Sequence, residues 1–339
     1  MTKYVKRAGY LVYYLKEMDW PLLRRFMAHV KGTKGYSRGL QWFMILRDSL
    51  RYNISLLEWY QFGFMNLSEC QKSSWAGTGT MYEFQLRANP PGARAVLDDK
   101  RAFYKAYQRF FRHRVFDREA VSEHPELLNE LLSRHHLLVL KGARGKCGRS
   151  VRFINTTGLR HSDLLSVMQA EGYDLLETPI EQHPDLNRLS PSGVNTVRVV
   201  TALDSKDRAY LLGCRLRISV NSLVDNLAAG NLAAPVDDKT GRVTGPGIYS
   251  DITKKPQTVH PITRTPIEGF CVPHWSACLE MALEAQKLFS RNRSVGWDIA
   301  VTGEGPGLIE GNHDWCKLVW QLPVRRGLKS VLDEVPLED

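Results

Sequence analysis

The sequence predicts an α+β protein, helical at its start and rich in antiparallel strands toward its end. Three observations carry this. Apolar residues recur at three- and four-residue steps through the early part of residues 1–95, as one helix face requires. Two alternating stretches, NTVRVVTALD and RAYLLGCRLRISV, flank a Ser205-Lys206-Asp207 turn. The stretch from Val295 to Cys316, VGWDIAVTGEGPGLIEGNHDWC, reads as a β-hairpin with glycines at its turn.

At 339 residues the chain is long enough for two or three packed units. It is 43% hydrophobic and 24% charged, an ordinary globular balance. No apolar run approaches the roughly 18 residues of a membrane span. Tyr10 to Leu15 is too short for a signal peptide and runs into Lys16 and Glu17. Six cysteines without a C-x-x-C pair suggest a reducing cytoplasm. Cys271, His274 and Cys278 lack a fourth zinc ligand at suitable spacing. The net charge is +10, and residues 1–60 hold eleven Lys or Arg against four Asp or Glu. Such a patch meets an anionic membrane surface, nucleic acid or an acidic substrate, or is simply a solvated face.

Taken in order, Leu11, Leu15, Met18, Leu22 and Phe26 share a helical face. Pro21 interrupts the run, and Asp19 stands where it caps a second helix. Gly32, Gly35 and Gly39 predict a loop, Leu40 to Tyr52 a helix, and Leu56 the start of another. Tyr10, Tyr13, Tyr14 and Trp20, with Lys3, Lys6, Arg7, Lys16, Arg24 and Arg25, suit an amphipathic helix in a membrane interface. They suit core packing equally well. Ser73 to Pro91 is rich in Gly, Pro and small polar residues and reads as a linker.

A new unit opens at Leu97-Asp98-Asp99-Lys100. Its expected elements are a helix presenting Phe103, Tyr107 and Phe110, a helix over Val121 to Leu132, and a short buried strand over Leu137 to Lys141. The loop GARGKCGRSVRF follows, with Gly142, Gly145 and Gly148 alternating with Arg144, Lys146 and Arg149 before a strand at Val151 to Ile154. Glycines let a backbone approach a polyphosphate and cations neutralise it, although neither G-x-x-x-x-G-K-[ST] nor G-x-G-x-x-G is present. Leu159 to Glu171 is predicted as a helix and Tyr173 to Glu177 as a strand. Arg198, Arg215 and Arg217 lie on the next two strands. A row of arginines is unusual for a core and is better explained by bound anions. The segment DNLAAGNLAAPVDDKTG begins as a loop around Gly230, and Trp275 to Ser290 is a helix.

In the terminal hairpin, Glu310 and Asn312 leave the same face of their strand. With Gly303-Glu304-Gly305 as the tip, Asp298 sits across from Glu310. Two opposed carboxylates repel, and a divalent cation between them reverses the sign. Asp, Glu and an Asn amide oxygen are hard ligands suited to Mg²⁺ or Mn²⁺.

The stretches LETPIEQHP with SGVNTVRVVT, DNLAAGNLAAPVD, and GWDIA followed by LIEGN carry a resemblance. The chain resembles the ATP-grasp enzymes, and more narrowly the sugar-transfer-associated group, which is alpha-L-glutamate ligase-like, from Leu97 to about Asn312. The resemblance implies two α+β lobes, at 96–176 and 177–339, closing on ATP behind a helical region at 1–95. It implies that Lys100 and Lys141 reach the α- and β-phosphates. Gly142 to Gly148, including Gly145 and Lys146, would be the flap over the phosphates, although Cys147 departs from the small residues common there. Glu177 to Ile180, with Thr178, would be the hinge that reads adenine, and Glu181 or else His183 would hold the ribose. Arg198 and Arg217 match arginines that hold the γ-phosphate or an acyl-phosphate, and with Lys141 they form the implied catalytic set. Asn195, Arg215, Asp225, Asn226 and Asn231 are expected near the substrates, with Asp225 facing an ammonium group. Asp298, Glu310 and Asn312 match the Mg²⁺ or Mn²⁺ ligands, for a pair of ions.

The implied activity is ATP-dependent carboxylate–amine ligation through an acyl-phosphate, on a sugar acid or sugar-linked carboxylate in polysaccharide or related biosynthesis. The alternatives are a phosphotransferase acting on a hydroxyl and a non-catalytic basic binding protein. Expected partners are a carboxylate and an amine, with a peripheral membrane contact through residues 1–60; nucleic acid is not expected. The expected location is cytoplasmic.

Overall fold

The chain begins as a layer of helices: α1 (Lys3–Lys16), α2 (Trp20–Lys34), α3 (Arg38–Tyr52) and α4 (Leu56–Gln61). The structure, a computed structural model, describes residues 3–145 and 151–337. The Asp19 carboxylate accepts from the Leu22 N–H at the start of α2, with Pro21 in the first turn. Gly32 and Gly39 do not mark a loop; they lie inside α2 and α3. Of Gly32, Gly35 and Gly39, only Gly35 ends a helix, at φ 74°, where its N–H reaches the Lys31 carbonyl. A left-handed cap of this kind suits a residue without a Cβ. Leu23, Phe26, Ile45 and Trp59 fill the core of this layer. Asp48 lies buried among them, taking hydrogen bonds from Trp59 Nε1 at 3.0 Å and Lys72 Nζ at 3.0 Å.

The stretch expected to be a linker is helical. After α5 (Glu69–Ser73) come α6 (Thr78–Ala88), α7 (Pro91–Asp98) and α8 (Lys100–Tyr107). Met81, Phe84 and Ala88 of α6 pack with Val200, Ala202, Trp315 and Trp320. The glycines that suggested flexibility serve close approach instead. A Cβ on Gly79 would lie 2.1 Å from Asn53 Oδ1, and one on Gly77 2.5 Å from Ile54 Cγ2.

A four-stranded antiparallel sheet follows. It is built from β1 (Val115–Asp117), β2 (Leu137–Lys141), β3 (Val151–Asn155) and β4 (Leu175–Glu177), in the order β1-β4-β2-β3. Helices α9 (Arg118–Glu123), α10 (Pro125–Arg134) and α11 (His161–Glu171) bury Val121, Leu128, Leu131, Leu164 and Met168 against it. The single helix expected over Val121 to Leu132 is two, because Pro125 cannot continue α9 but can open α10.

The second sheet has five antiparallel strands in the order β7-β6-β5-β8-β9. A short helix, α12 (Pro184–Leu189), precedes β5 (Thr196–Leu203), β6 (Ala209–Ile218) and β7 (Leu232–Val236). Helix α13 (Trp275–Leu288) leads into β8 (Ser294–Thr302) and β9 (Gly305–Asn312), and α14 (Lys317–Gln321) and α15 (Lys329–Asp333) close the chain. Phe103, Tyr107 and Phe110, from α8 and the turn after it, pack into the core of this sheet beside Trp297, Ile299 and Leu308.

The terminal hairpin pairs Asp298 with Glu310, as expected, but by another route. The tip is two residues long, since Thr302 faces Gly305. The register then shifts: Ile299 faces Leu308 while Asp298 faces Glu310, so Ile309 is an extra residue in β9. A β-bulge, not a longer loop, sets the two carboxylates opposite each other.

The Asp48 cluster makes a direct test of the helical layer. Asp48→Ala leaves the Lys72 ammonium buried and should lower stability by about 3–5 kcal/mol in urea unfolding. A loss under about 1 kcal/mol would mean that Lys72 is served by Glu69, 3.5 Å away, instead.

Candidate active site

A cavity of about 670 Å³ lies between the two sheets, within the size range of small-ligand sites. Strand alternation builds its first wall. Leu138 and Leu140 of β2 turn into the helix-covered core, so Val139 and Lys141 face the other way and line the cavity. Val151 and Phe153 of β3 extend this wall, and Thr178 to Gln182 close one end. The opposite wall carries Thr196, Arg217, Asp298 and Glu310 from β5, β6, β8 and β9.

On the first wall the Lys141 ammonium lies 2.6 Å from Glu177 Oε2, and His113 Nε2 lies 3.2 Å from the same oxygen. Burial pushes the Glu177 carboxyl up, but the Lys141 charge and the His113 ring outweigh it and bring it down to about 2. The Glu177 carboxylate therefore aims Lys141. His113 had no sequence signal. It reaches Glu177, 64 residues later in the chain, because β1 and β4 pair Val115 with Glu177. Lys100 donates from Nζ to the Gly145 carbonyl at 2.8 Å, and burial lowers its ammonium below the usual range.

On the second wall Arg198 grips Asp298 with both arms of its guanidinium, at 2.5 and 2.8 Å. Arg217 adds a third bond to Asp298 at 2.7 Å and reaches Asp225 at 2.7 Å. Asp225 also accepts from the Thr196 N–H and hydroxyl. Burial works against the charge on Asp298, but the two arginines hold it well below the usual carboxylate range. Glu310 goes the other way: burial and the facing Asp298 carboxylate push it up. Asn312 donates to the Glu310 carboxylate at 3.2 Å. Arg217 Nε is buried without a hydrogen-bond partner among the described residues.

The cavity thus gathers Lys100, Lys141, Gly145, Thr178, Ile180, Glu181, Arg217, Asp225, Asn226, Asp298 and Glu310 of the expected residues. Arg198 stands behind Asp298. Asn312 lines a small neighbouring pocket with Glu310 and Lys100.

Other expected residues are placed elsewhere. Arg215 shares a sheet face with Arg217, yet its guanidinium turns to the Trp320 and Cys214 carbonyls and does not reach the cavity. The Asn195 side chain holds Gln182, Ser190 and the Ser219 N–H, and Asn231 holds the Val220 N–H and the Val224 and Asn226 carbonyls. Both fix loops through the backbone rather than facing a ligand. His183 Nδ1 accepts from the Asp185 N–H and caps α12, so Glu181, not His183, is on the cavity wall. Gly142 lies at a separate surface pocket. Lys146 and Gly148 fall outside the described residues. Asp225 is on the wall but engaged by Arg217, so it steadies that guanidinium instead of standing ready for an ammonium group. Cys278 is buried in a core and Cys271 is exposed; among the described residues no three His, Cys, Asp or Glu side chains gather as a metal cluster.

The model of the sugar-transfer associated ATP-grasp family matches residues 80–336. The chain belongs to this family. It adopts the ATP-grasp fold, two α+β lobes preceded by helices. No curated protein matches it in sequence. Among solved structures it is similar to D-alanyl-alanine synthetase A from Vibrio cholerae O1 biovar eltor, at 12% identity over 72% of this chain and 62% of that one, TM-score 0.40. It is also similar to an L-amino acid ligase from Bacillus licheniformis, at 10% identity over 65% and 41%, TM-score 0.38. The RimK domain ATP-grasp protein from Sphaerobacter thermophilus is similar at 14% identity over 72% and 69%, TM-score 0.38. The chain spans under half the length of several structures it matches, 45% in one synthetase and 41% in the Bacillus ligase.

The donor set of this ATP-grasp site suits a nucleotide with Mg²⁺. Two opposed carboxylates and an amide oxygen are hard ligands, and a divalent cation between Asp298 and Glu310 would relieve the repulsion that lifts Glu310. Lys100, Lys141 and Arg217, on the same cavity, could supply the positive charge that phosphates need.

Two outcomes follow from these charges. Glu310→Gln removes the repulsion, so thermal stability should hold or rise while Mg²⁺-dependent ATP binding falls at least about tenfold. Unchanged ATP binding would remove Glu310 from the metal site. Glu177 has a lowered carboxyl, so its stabilisation is present above the unfolded value of 4.5 and is lost as pH falls toward 2. The stability difference between the protein and Glu177→Gln should shrink by about 2 kcal/mol between about pH 6 and about pH 3. A difference independent of pH would mean that Lys141 does not hold this carboxylate.

Proposed function

We propose that this ATP-grasp protein is an ATP-dependent carboxylate–amine ligase that forms an amide through an acyl-phosphate. The observation that carries the reading is the meeting, on one cavity, of Lys100, Lys141 and Arg217 with the opposed pair Asp298 and Glu310. In this reading Lys100 and Lys141 hold the α- and β-phosphates and Arg217 steadies the transferring phosphoryl group, while Arg198, which is not on the cavity wall, holds Asp298 in place. The backbone from Thr178 to Ile180 reads the adenine, and Glu181 takes the ribose. Asp298, Glu310 and Asn312 hold Mg²⁺ as a pair of ions, which supply charge neutralisation on the phosphates.

The reaction runs in two steps. A carboxylate oxygen attacks the γ-phosphorus and ADP leaves. An amine then attacks the acyl carbon, phosphate leaves, and the amine proton passes to solvent. A carboxylate is already ionised at neutral pH and needs no base. This agrees with the wall, where Glu177 is engaged by Lys141 and His113, and Asp225 by Arg217 and Thr196. Neither is left to deprotonate a hydroxyl, and this reading gives the wall's Glu181 to the ribose and Asp298 and Glu310 to the metal, which weighs against a phosphotransferase. The protein contributes positioning and charge stabilisation, and a closed site protects the acyl-phosphate from water. The family's association with sugar transfer supports a sugar acid or sugar-linked carboxylate as substrate, in polysaccharide or related biosynthesis in the cytoplasm. A peripheral membrane contact of residues 1–60 is proposed independently of the reaction.

A coupled assay for ADP and phosphate tests the reading. Equal amounts of both should appear only when a carboxylate and an amine are present together, and hydroxylamine as the amine should yield a hydroxamate. A γ-phosphate that stays on a hydroxyl-bearing product, with no hydroxamate, would make the protein a phosphotransferase.

A further inference from the structure

We propose that the outer faces of α1 and α3 form a docking surface for an anionic lipid bilayer, whatever reaction the cavity performs. The two helices run antiparallel. Arg7 near the start of α1 donates to the Leu50 and Arg51 carbonyls at the end of α3. Trp20, just beyond the end of α1, meets Trp42 near the start of α3, with ring centroids 6.4 Å apart. This pairing sets the middle of α1, with Val12 and Tyr13, alongside the first half of α3, with Leu40 and Phe43.

These side chains point outward. Val12 is 67% exposed, Phe43 64% and Tyr13 57%, and Val5, Leu40 and Trp20 are also exposed. The inner faces already carry the core residues Tyr14 and Ile45. A helix at a water-facing surface turns polar residues outward. Here the outer faces carry large apolar side chains beside their charged ones, and large apolar side chains on an outer face mark a contact surface. Trp and Tyr among them suit the interfacial layer of a bilayer.

Charge identifies the partner. Lys16, Arg24, Lys31, Lys34 and Arg38 are exposed, and among the described residues no salt bridge engages them. Two of the four acids in residues 1–60 are buried and neutralised inside: Asp48 by Lys72 and Arg47, and Glu58 by Lys317. Only Glu17 and Asp19 face outward, and Asp19 caps α2. An apolar ridge that itself carries Lys16 and Arg38 is complementary to acyl chains beneath anionic headgroups. Nucleic acid would be met by cations without protruding aliphatic side chains.

Vesicle flotation of the full chain tests this. Binding to vesicles of phosphatidylglycerol and phosphatidylcholine should exceed binding to phosphatidylcholine alone by about tenfold, and should weaken in high salt. Tryptophan emission should shift to the blue on binding, and Trp20→Phe should reduce that shift. The double variant Val12→Ser with Phe43→Ser should keep its circular dichroism spectrum and lose vesicle binding, and Lys16→Glu with Arg38→Glu should weaken it. The proposal is overturned if the protein floats with neither vesicle or if the variants bind as the parent does. It is equally overturned if the chain self-associates in sedimentation and the serine pair abolishes that association without affecting lipid.

Discussion

Asp298 is the residue on which the second lobe and the site both depend. Two guanidiniums close on it, from Arg198 of the neighbouring β5 and Arg217 of β6 one strand further, and Arg217 carries the contact on to Asp225. Each of these charges loses its hydration on folding, a penalty of several kcal/mol that only a complete network offsets. Three strands and the loop after β6 are therefore tied through one buried cluster. The same cluster leaves Glu310 facing a carboxylate whose charge the arginines preserve. Burial alone would neutralise such a pair; the guanidiniums keep Asp298 ionised, as the proposed cation site requires.

The lobes are joined less by a linker than by α8. Its aromatic face belongs to the core of the second sheet, while Lys100 at its first turn bonds to the loop after β2, through its N–H to Ala143 and its ammonium to Gly145. Asp99 caps this helix by accepting from the Arg101 and Ala102 N–H groups, which fixes where Lys100 leaves it. Glycine makes the fit against the hairpin. A Cβ on Gly311 would lie 2.9 Å from Trp297 and 3.1 Å from Phe103, so any side chain there would push α8 off β9. The position of Lys100 relative to Glu310 is thus a packing result.

Side-chain length explains why some site residues were legible and others not. Alternation puts Arg198, Arg215 and Arg217 on one face of the sheet, and that much follows from their spacing. Where a long guanidinium ends is decided by what lies within its reach. Arg217 finds two carboxylates, whereas Arg215 finds the Trp320 carbonyl of α14, more than a hundred residues away in the chain. The buried asparagines show the same limit. Asn195 and Asn231 sit in the motifs that carry the family resemblance, but their amides hold backbone, and a short polar side chain in a loop does that as readily as it binds a ligand.

The sequence by itself determined the helical start, the paired strands, the family, and the opposition of Asp298 to Glu310. The elements and the opposed pair rest on local periodicity and turn residues, which act over a few neighbouring positions; the family rests on the resemblance that its motifs carry. Even there the register came from a bulge at Ile309 that no spacing rule announced. Only the tertiary structure decided that His113 and Lys141 share Glu177, that Asp225 serves Arg217, and that the glycine-rich stretch before Pro91 is a packed helix. Each of these depends on which distant strand or helix becomes a neighbour. That choice is made by burying the whole apolar surface at once, and no local pattern encodes it.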